Sequence, residues 1–211
     1  TNQGGDSLSV IDTMTDTVIA TIPVGTTSYD GAVVGTDYYL VSYGTDSINV
    51  IDTITDTVTT VIPVGSQPFS ATAAGTKVYV NNTGSDTVTV IDALTNTVIN
   101  TIAVGDYPYS SVHVGNNLYV INQYNSAISL INVLTDTLST TYSMLAAGTS
   151  PSYGTVVGDN LYVAVAGGDS LFYLDTRSRY FEGEVDGDTI SLNYTDLLDT
   201  GSVPAIGDFV A

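Results

Sequence analysis

The stretch "DTVTVIDALTNTVINTIAVG", which opens at Asp86, recurs with few changes in three other places. It reads "DSLSVIDTMTDTVIATIPVG" from Asp6, "DSINVIDTITDTVTTVIPVG" from Asp46 and "SAISLINVLTDTLSTTYSMLAAG" from Ser126. Asp6, Asp46, Asp86 and Ser126 are spaced by 40 residues, and Asp169 follows Ser126 by 43. A tandem unit of this size cannot bury a core alone, so its apolar faces must be covered by its neighbours. The chain is therefore an array of stacked units, and the remaining question is what one unit contains.

Each unit contains strands. Four short runs rich in β-branched and aromatic residues are divided by clusters of Gly, Asp, Asn and Thr. In the third copy they are "YSSVHVG" (preceded one copy earlier by "FSATAAG"), "LYVIN", "TVTVID" and "TVINTIAVG". The pattern D-x-x-T-[DN]-T, at 12–17, 52–57 and 92–97, reads as a tight hairpin loop in which the first Asp accepts backbone N–H bonds. Gly75, Gly115 and Gly158 mark the corner between the first two strands. Four antiparallel strands per unit, in tandem, predict an all-β chain built as a β-propeller. Residue size agrees: the first runs, "GAVVG", "ATAAG", "SVHVG" and "GTVVG", are small enough for a crowded axis, while later strands carry Ile51, Ile91 and Leu174. Pairs such as Val50-Ile51 put apolar groups on both faces of a strand, as a sheet sandwiched between sheets requires.

The phrase "KVYVNN…SDTVTVIDALTNTVINTIAVG" resembles the YVTN-type β-propeller repeat of archaeal surface-layer and bacterial surface proteins. Tyr79, Tyr119 and Tyr162 stand at its tyrosine position, and Thr1-Asn2 align with its closing "TN". The resemblance covers residues 1–176. It implies a half blade at 1–25, blades at 26–65, 66–105 and 106–148, and the start of a fifth at 149–176. Beyond 176 the motif dissolves, and "RYFEGEVDGDTISLNY" reads as a hairpin turning at Asp186-Gly187. Two readings of 177–211 stand. In one, Arg179 to Val185 is the outer strand of the fifth blade and the last two strands complete the first half blade, closing a five-bladed ring. In the other, the chain is a segment of a propeller of about seven blades and the tail is a joint to another module.

Net charge is −19, with 22 acidic residues against Lys77, Arg177 and Arg179. Nucleic acid and anionic membrane surfaces need clustered cations, so both are excluded as expected partners. All the acids except Glu182 and Glu184 are Asp, which fits turn chemistry and solubility, with a calcium-rich or saline setting as the other reading. There is no Cys, so disulfides, thiolate metal sites and Cys nucleophiles are absent. No apolar run is long enough to cross a membrane as a helix, and "TNQGGDSLSV" lacks the features of a signal peptide. An exported protein would therefore be represented by a mature form or an internal piece.

Five residues are candidates for ligand contact. Tyr29, Phe69 and Tyr109 share one position in successive units, after the V-G corner, and Tyr153 follows that position in the next. They suit either a channel mouth that offers flat faces to a sugar or peptide, or wedges between blades, which is the favoured reading. His113, the single histidine, stands where other units have Val33, Ala73 and Val156. Without partner ligands it reads as a satisfied, partly buried histidine rather than a metal ligand. It is also the only available base for a Ser–His–Asp arrangement, and no G-x-S-x-G accompanies it. Glu184, Asp186 and Asp188 form a loose acidic loop lacking EF-hand spacing, so calcium stays open and no cofactor is assigned. Asn81-Asn82-Thr83 and Asn193-Tyr194-Thr195 match the glycosylation sequon.

The function expected from these features is a non-catalytic structural or adhesive module, surface-layer-like, on a cell exterior, with protein or glycan partners and scope for self-assembly. A virion appendage or decoration protein is the second expectation. A propeller enzyme or cofactor-binding domain, lactonase-like or redox, is the third.

Overall fold

The computed structural model describes residues 1–2, 4–144, 150–166, 170–176, 181–186 and 189–191. They form five antiparallel sheets in sequence order. β1 (Ser7–Asp12) and β2 (Thr17–Pro23) make a two-stranded sheet. Three four-stranded sheets follow, in each of which strand order equals chain order. The first holds β3 (Ser28–Val34), β4 (Asp37–Ser42), β5 (Ser47–Asp52) and β6 (Thr57–Pro63). The second holds β7 (Pro68–Ala74), β8 (Lys77–Asn82), β9 (Thr87–Asp92) and β10 (Thr97–Ala103). The third holds β11 (Pro108–Val114), β12 (Asn117–Asn122), β13 (Ala127–Asn132) and β14 (Thr137–Ser143). The fifth sheet runs β15 (Pro151–Val157), β16 (Asn160–Val165), β17 (Ser170–Asp175), β18 (Phe181–Asp186) and β19 (Thr189–Ser191).

The first strands of successive sheets pack side by side, β3 on β7, β7 on β11 and β11 on β15. This is the inner layer of a propeller, and the expected small residues occupy it. Apolar clusters lie between sheets rather than within one. Tyr39, Val41, Ile48 and Val50 of one sheet meet Ala71, Val78, Val80 and Ile91 of the next. The middle strands β5, β8, β9, β12 and β13 are buried on both faces. That is why Val50 and Ile51 can be adjacent and both buried.

The fixed residues of D-x-x-T-[DN]-T each have a role in the turn. Asp12, Asp52, Asp92 and Asn132 accept the N–H two residues on, at 2.7, 2.7, 2.8 and 2.9 Å. The two Thr hydroxyls bond each other at 2.8–2.9 Å, as in Thr55–Thr57 and Thr95–Thr97. Asp16, Asp56, Asn96 and Asp136 hold φ between 53° and 55°, a region that Asp and Asn tolerate better than most residues.

The tyrosine of the repeat ties one blade to the next. Tyr39 is fully buried and donates to Asn96 Oδ1 (2.6 Å) and Ala93 O (3.3 Å) in the following sheet's turn. Tyr79 does the same one blade on, to Asp136 Oδ1 (2.5 Å) and Val133 O (3.3 Å). Lys77 joins it there, donating to Asp136 Oδ2 at 2.6 Å and to Val133 O at 3.0 Å. The chain's one lysine is thus an inter-blade fastener.

Gly65 and Gly105 end the repeated phrase because a Cβ there would lie 2.6 Å from Asn82 Cγ or 2.7 Å from Asn122 Cγ. At the carboxyl side, β18 pairs with β17 and β19 turns back onto β18, with Asp186 opposite Thr189. Among the described residues Thr189–Ser191 therefore pairs with β18, and β1 pairs with β2. Residues 192–211, including Asn193-Tyr194-Thr195 and the final "GDFVA", lie outside the described residues.

Candidate functional site

Each inner strand carries a register shift near its start, between Ser28/Gly31, Pro68/Ser70, Pro108/Ser110 and Pro151/Gly154. One extra residue is accommodated there, and it falls at Tyr29, Phe69, Tyr109 and Tyr153 or their immediate neighbours. A bulge re-aims the side chain it carries. Here it turns the four rings toward one another across the blades. Tyr29 and Phe69 have centroids 4.8 Å apart, Phe69 and Tyr109 stack at 4.3 Å, and Tyr153 meets Tyr109 edge-on at 5.3 Å.

Three further tyrosines extend this array. Tyr43 packs edge-on against Tyr29 at 5.5 Å, Tyr107 lies 6.4 Å from Tyr109, and Tyr124 stacks on Tyr107 at 4.2 Å. Seven rings from four sheets therefore form one connected ladder. All lie at the end of the ring where inner strands begin, since Ser28 pairs with Ser42 and Pro108 with Asn122. Tyr43, Tyr107 and Tyr124 are not legible from the repeat because they break it. Tyr124 stands where other units have Gly44 and Gly84, and Tyr107 where they have Thr27 and Gln67. A large ring replacing glycine at a loop tip was the available signal.

The middle of the ladder and its ends differ in what their faces meet. Phe69 is sandwiched between Tyr29 and Tyr109, so its faces are committed to holding blades together. The ends are different. Tyr124 is 71% exposed and Tyr153 58%, each with a neighbour on one side only in the ladder. The separations along Tyr124–Tyr107–Tyr109–Tyr153 place these two rings no more than about 16 Å apart. Tyr107 is held rigidly. Its φ is 58°, its N–H donates to Asp86 Oδ1 at 2.8 Å, and its carbonyl accepts Gln123 N–H at 2.9 Å. A bulky residue held at positive φ marks a segment whose surroundings dictate its shape.

Burial pushes the Tyr109 hydroxyl up to about 12, helped by its hydrogen bond to and charge interaction with Tyr153. Burial also raises Tyr107, with Tyr124 next in effect. Both are neutral donors at physiological pH. Asp30, beside Tyr29, is raised by burial, partly offset by backbone N–H bonds from Gly31 and Ala71.

His113 is not part of this cluster. It sits four residues further along β11, roughly 13 Å away at about 3.3 Å per residue, near the opposite end of the ring. Its Nε2 lies 2.8 Å from Gly115 O, and the side chain is half-buried. The sequon at Asn81 is corrected by the structure. Asn81 is fully buried, and its Nδ2 donates to Ser70 Oγ at 2.8 Å and Ser111 Oγ at 2.9 Å, so no glycan can reach it in the folded chain. The Asp186–Asp188 loop with Glu184 lies outside the described side chains. Among the described residues no cluster of three or more His, Asp or Glu has metal-binding geometry.

No protein-family model matches the chain, and no curated protein matches it. Solved structures do. Hydrazine synthase from Kuenenia stuttgartiensis superposes with a TM-score of 0.78 at 20% identity, over 93% of this chain and 64% of that one. BamB from Moraxella catarrhalis gives 0.67 at 16%, over 85% and 61%. The dihydro-heme d1 dehydrogenase NirN gives 0.69 at 12%, over 88% and 43%. The chain spans less than two thirds of each of these. At such identities the likeness shows the fold alone. The chain folds as a β-propeller.

Proposed function

We propose that this chain is a non-catalytic recognition propeller of the YVTN type, working on a cell exterior and binding an extended glycan or protein segment at its aromatic mouth. One observation carries this reading: a ladder of seven rings that is locked in the middle and free-faced at Tyr124 and Tyr153. Rings already fixed by stacking lose little entropy when a ligand covers them. A tyrosine face suits the C–H side of a sugar ring or an apolar peptide side chain, and its hydroxyl supplies a hydrogen bond. Two exposed rings on one connected ladder suit a ligand that touches both ends. The four-sheet frame supplies rigidity while the loops around Tyr107 and Tyr124 supply identity.

The test is a panel of β-linked oligosaccharides and unstructured peptides, titrated into the full chain and followed by calorimetry. A ligand that binds should weaken about tenfold in Tyr124→Ala or Tyr153→Ala, the cost of losing one stacking face of about 1.4 kcal/mol. Their melting temperatures should stay near that of the parent. Binding that is indifferent to both substitutions would remove the mouth from the function.

A further inference from the structure

The opposite end of the ring carries a second repeated feature. The tip residue of each D-x-x-T-[DN]-T turn is a large apolar side chain: Met14, Ile54, Leu94 and Leu134. Their exposures run from 68% at Leu134 to 91% at Met14. A single exposed aliphatic residue needs no explanation. Four in register do, because nothing in the turn asks for them. The backbone N–H of each tip is already bonded to the turn's first Asp or Asn, a bond that does not depend on the tip's own side chain. The turns are also rigid, since Tyr39 and Tyr79 anchor those of Leu94 and Leu134 from the preceding blade. Thr53 N–H and Ala93 N–H bond Thr36 O and Thr76 O, which fixes the tips at the end where inner strands finish, away from the aromatic mouth.

Charge selects the occupant. Carboxylates border the tips: Asp12 and Asp16 at Met14, Asp52 and Asp56 at Ile54, and Asp92 at Leu94, while Leu134 has Asn132 on one side and Asp136 on the other. Lys77, the one described cation of Lys or Arg type at this rim, is already paired with Asp136. A second copy of the chain, carrying −19 itself, would bring carboxylate against carboxylate. We infer that the rim of Met14, Ile54, Leu94 and Leu134 docks a protein segment whose apolar face is bordered by Lys or Arg. It is an interaction surface separate from the aromatic mouth, and it stands whether or not the mouth binds anything.

Two synthetic peptides test it on the full chain: a helical one of Leu and Lys, and one of equal charge with Ser in place of Leu. The parent should bind the first about tenfold more tightly than the second, and this preference should persist as salt is raised while the shared electrostatic part declines. The M14T/I54T/L94T/L134T variant should lose the preference and keep its melting temperature. The double variant I54T/L94T should lose part of it, which serves if the quadruple variant is poorly folded. Equal binding of both peptides by the parent would overturn the inference, as would a preference that survives the substitutions. A concentration-dependent parent dimer that the substitutions disperse would also overturn it, giving the rim to a second copy.

Discussion

Tyr39 and Tyr79 occupy the same place in successive blades, yet their removal should cost different amounts. Both rings are fully buried and both hydroxyls reach the next blade, so a Phe replacement keeps the packing and deletes one donor. Each also has a 3.3 Å contact to a backbone carbonyl, Ala93 O or Val133 O, which cancels in the comparison. What differs is the main acceptor. Tyr39 donates to the neutral amide of Asn96 at 2.6 Å, Tyr79 to the carboxylate of Asp136 at 2.5 Å. A neutral hydrogen bond contributes about 0.5–1.5 kcal/mol and one to a charged group about 1.5–3 kcal/mol. Tyr79→Phe should therefore destabilise by about 1 kcal/mol more than Tyr39→Phe. For a chain of this size that is about 2–4 °C in melting temperature. Asp136→Asn supplies the control: Asn96 already adopts φ 55° in the equivalent turn and Asp136 φ 53°, so the backbone is undisturbed. On that background Tyr79→Phe should cost no more than Tyr39→Phe does in the parent. Urea denaturation followed by circular dichroism, with a check that two probes give one transition, measures the parent and the four variants. If Tyr39→Phe costs as much as Tyr79→Phe, or if the cost of Tyr79→Phe is unchanged by Asp136→Asn, the charge-assisted account fails.

Two other outcomes are expected. Gly65→Ala places a methyl 2.6 Å from Asn82 Cγ and Ser85 Oγ, so it should destabilise by about 1–3 kcal/mol in the same assay, whereas Gly75→Ala, which meets no atom within 4 Å, should act only through its φ of 63°. Stability should also fall in alkali. Burial pushes Tyr39 and Tyr109 from 10.0 up to about 12, and raises Tyr79 as well, so the unfolded chain loses these protons first. Their contribution is complete below pH 10 and is lost as pH rises from 10 to about 12. Melting temperatures across that range, with Tyr39→Phe showing a shallower decline than the parent, would check it.

The architecture was legible in the sequence because each blade is specified locally and four times over. The spacing of Asp6, Asp46 and Asp86, the turn chemistry of Asp52 to Thr57 and the paired apolar residues at Val50-Ile51 act over a few residues. Strand alternation and turn dihedrals depend on little else. The same holds for the position of Tyr29, Phe69 and Tyr109, which the repeat alone aligns.

What those residues touch was a matter for the packing of blade on blade. Tyr39 meets Asn96 and Tyr79 meets Asp136 across 57 residues of chain, a distance at which no local pattern operates. Tyr107 and Tyr124 join the ladder only because two loops from one sheet converge with an inner-strand bulge. His113 and Tyr109, four residues apart on one strand, part company because a strand carries them about 13 Å toward opposite ends of the ring. Asn81 looked like an accessible acceptor as a triplet of letters and is buried by the neighbouring blade. Sequence determined each blade, since a blade is made of near neighbours. The surfaces came from the tertiary structure, because they are built from residues that only blade-on-blade packing brings together.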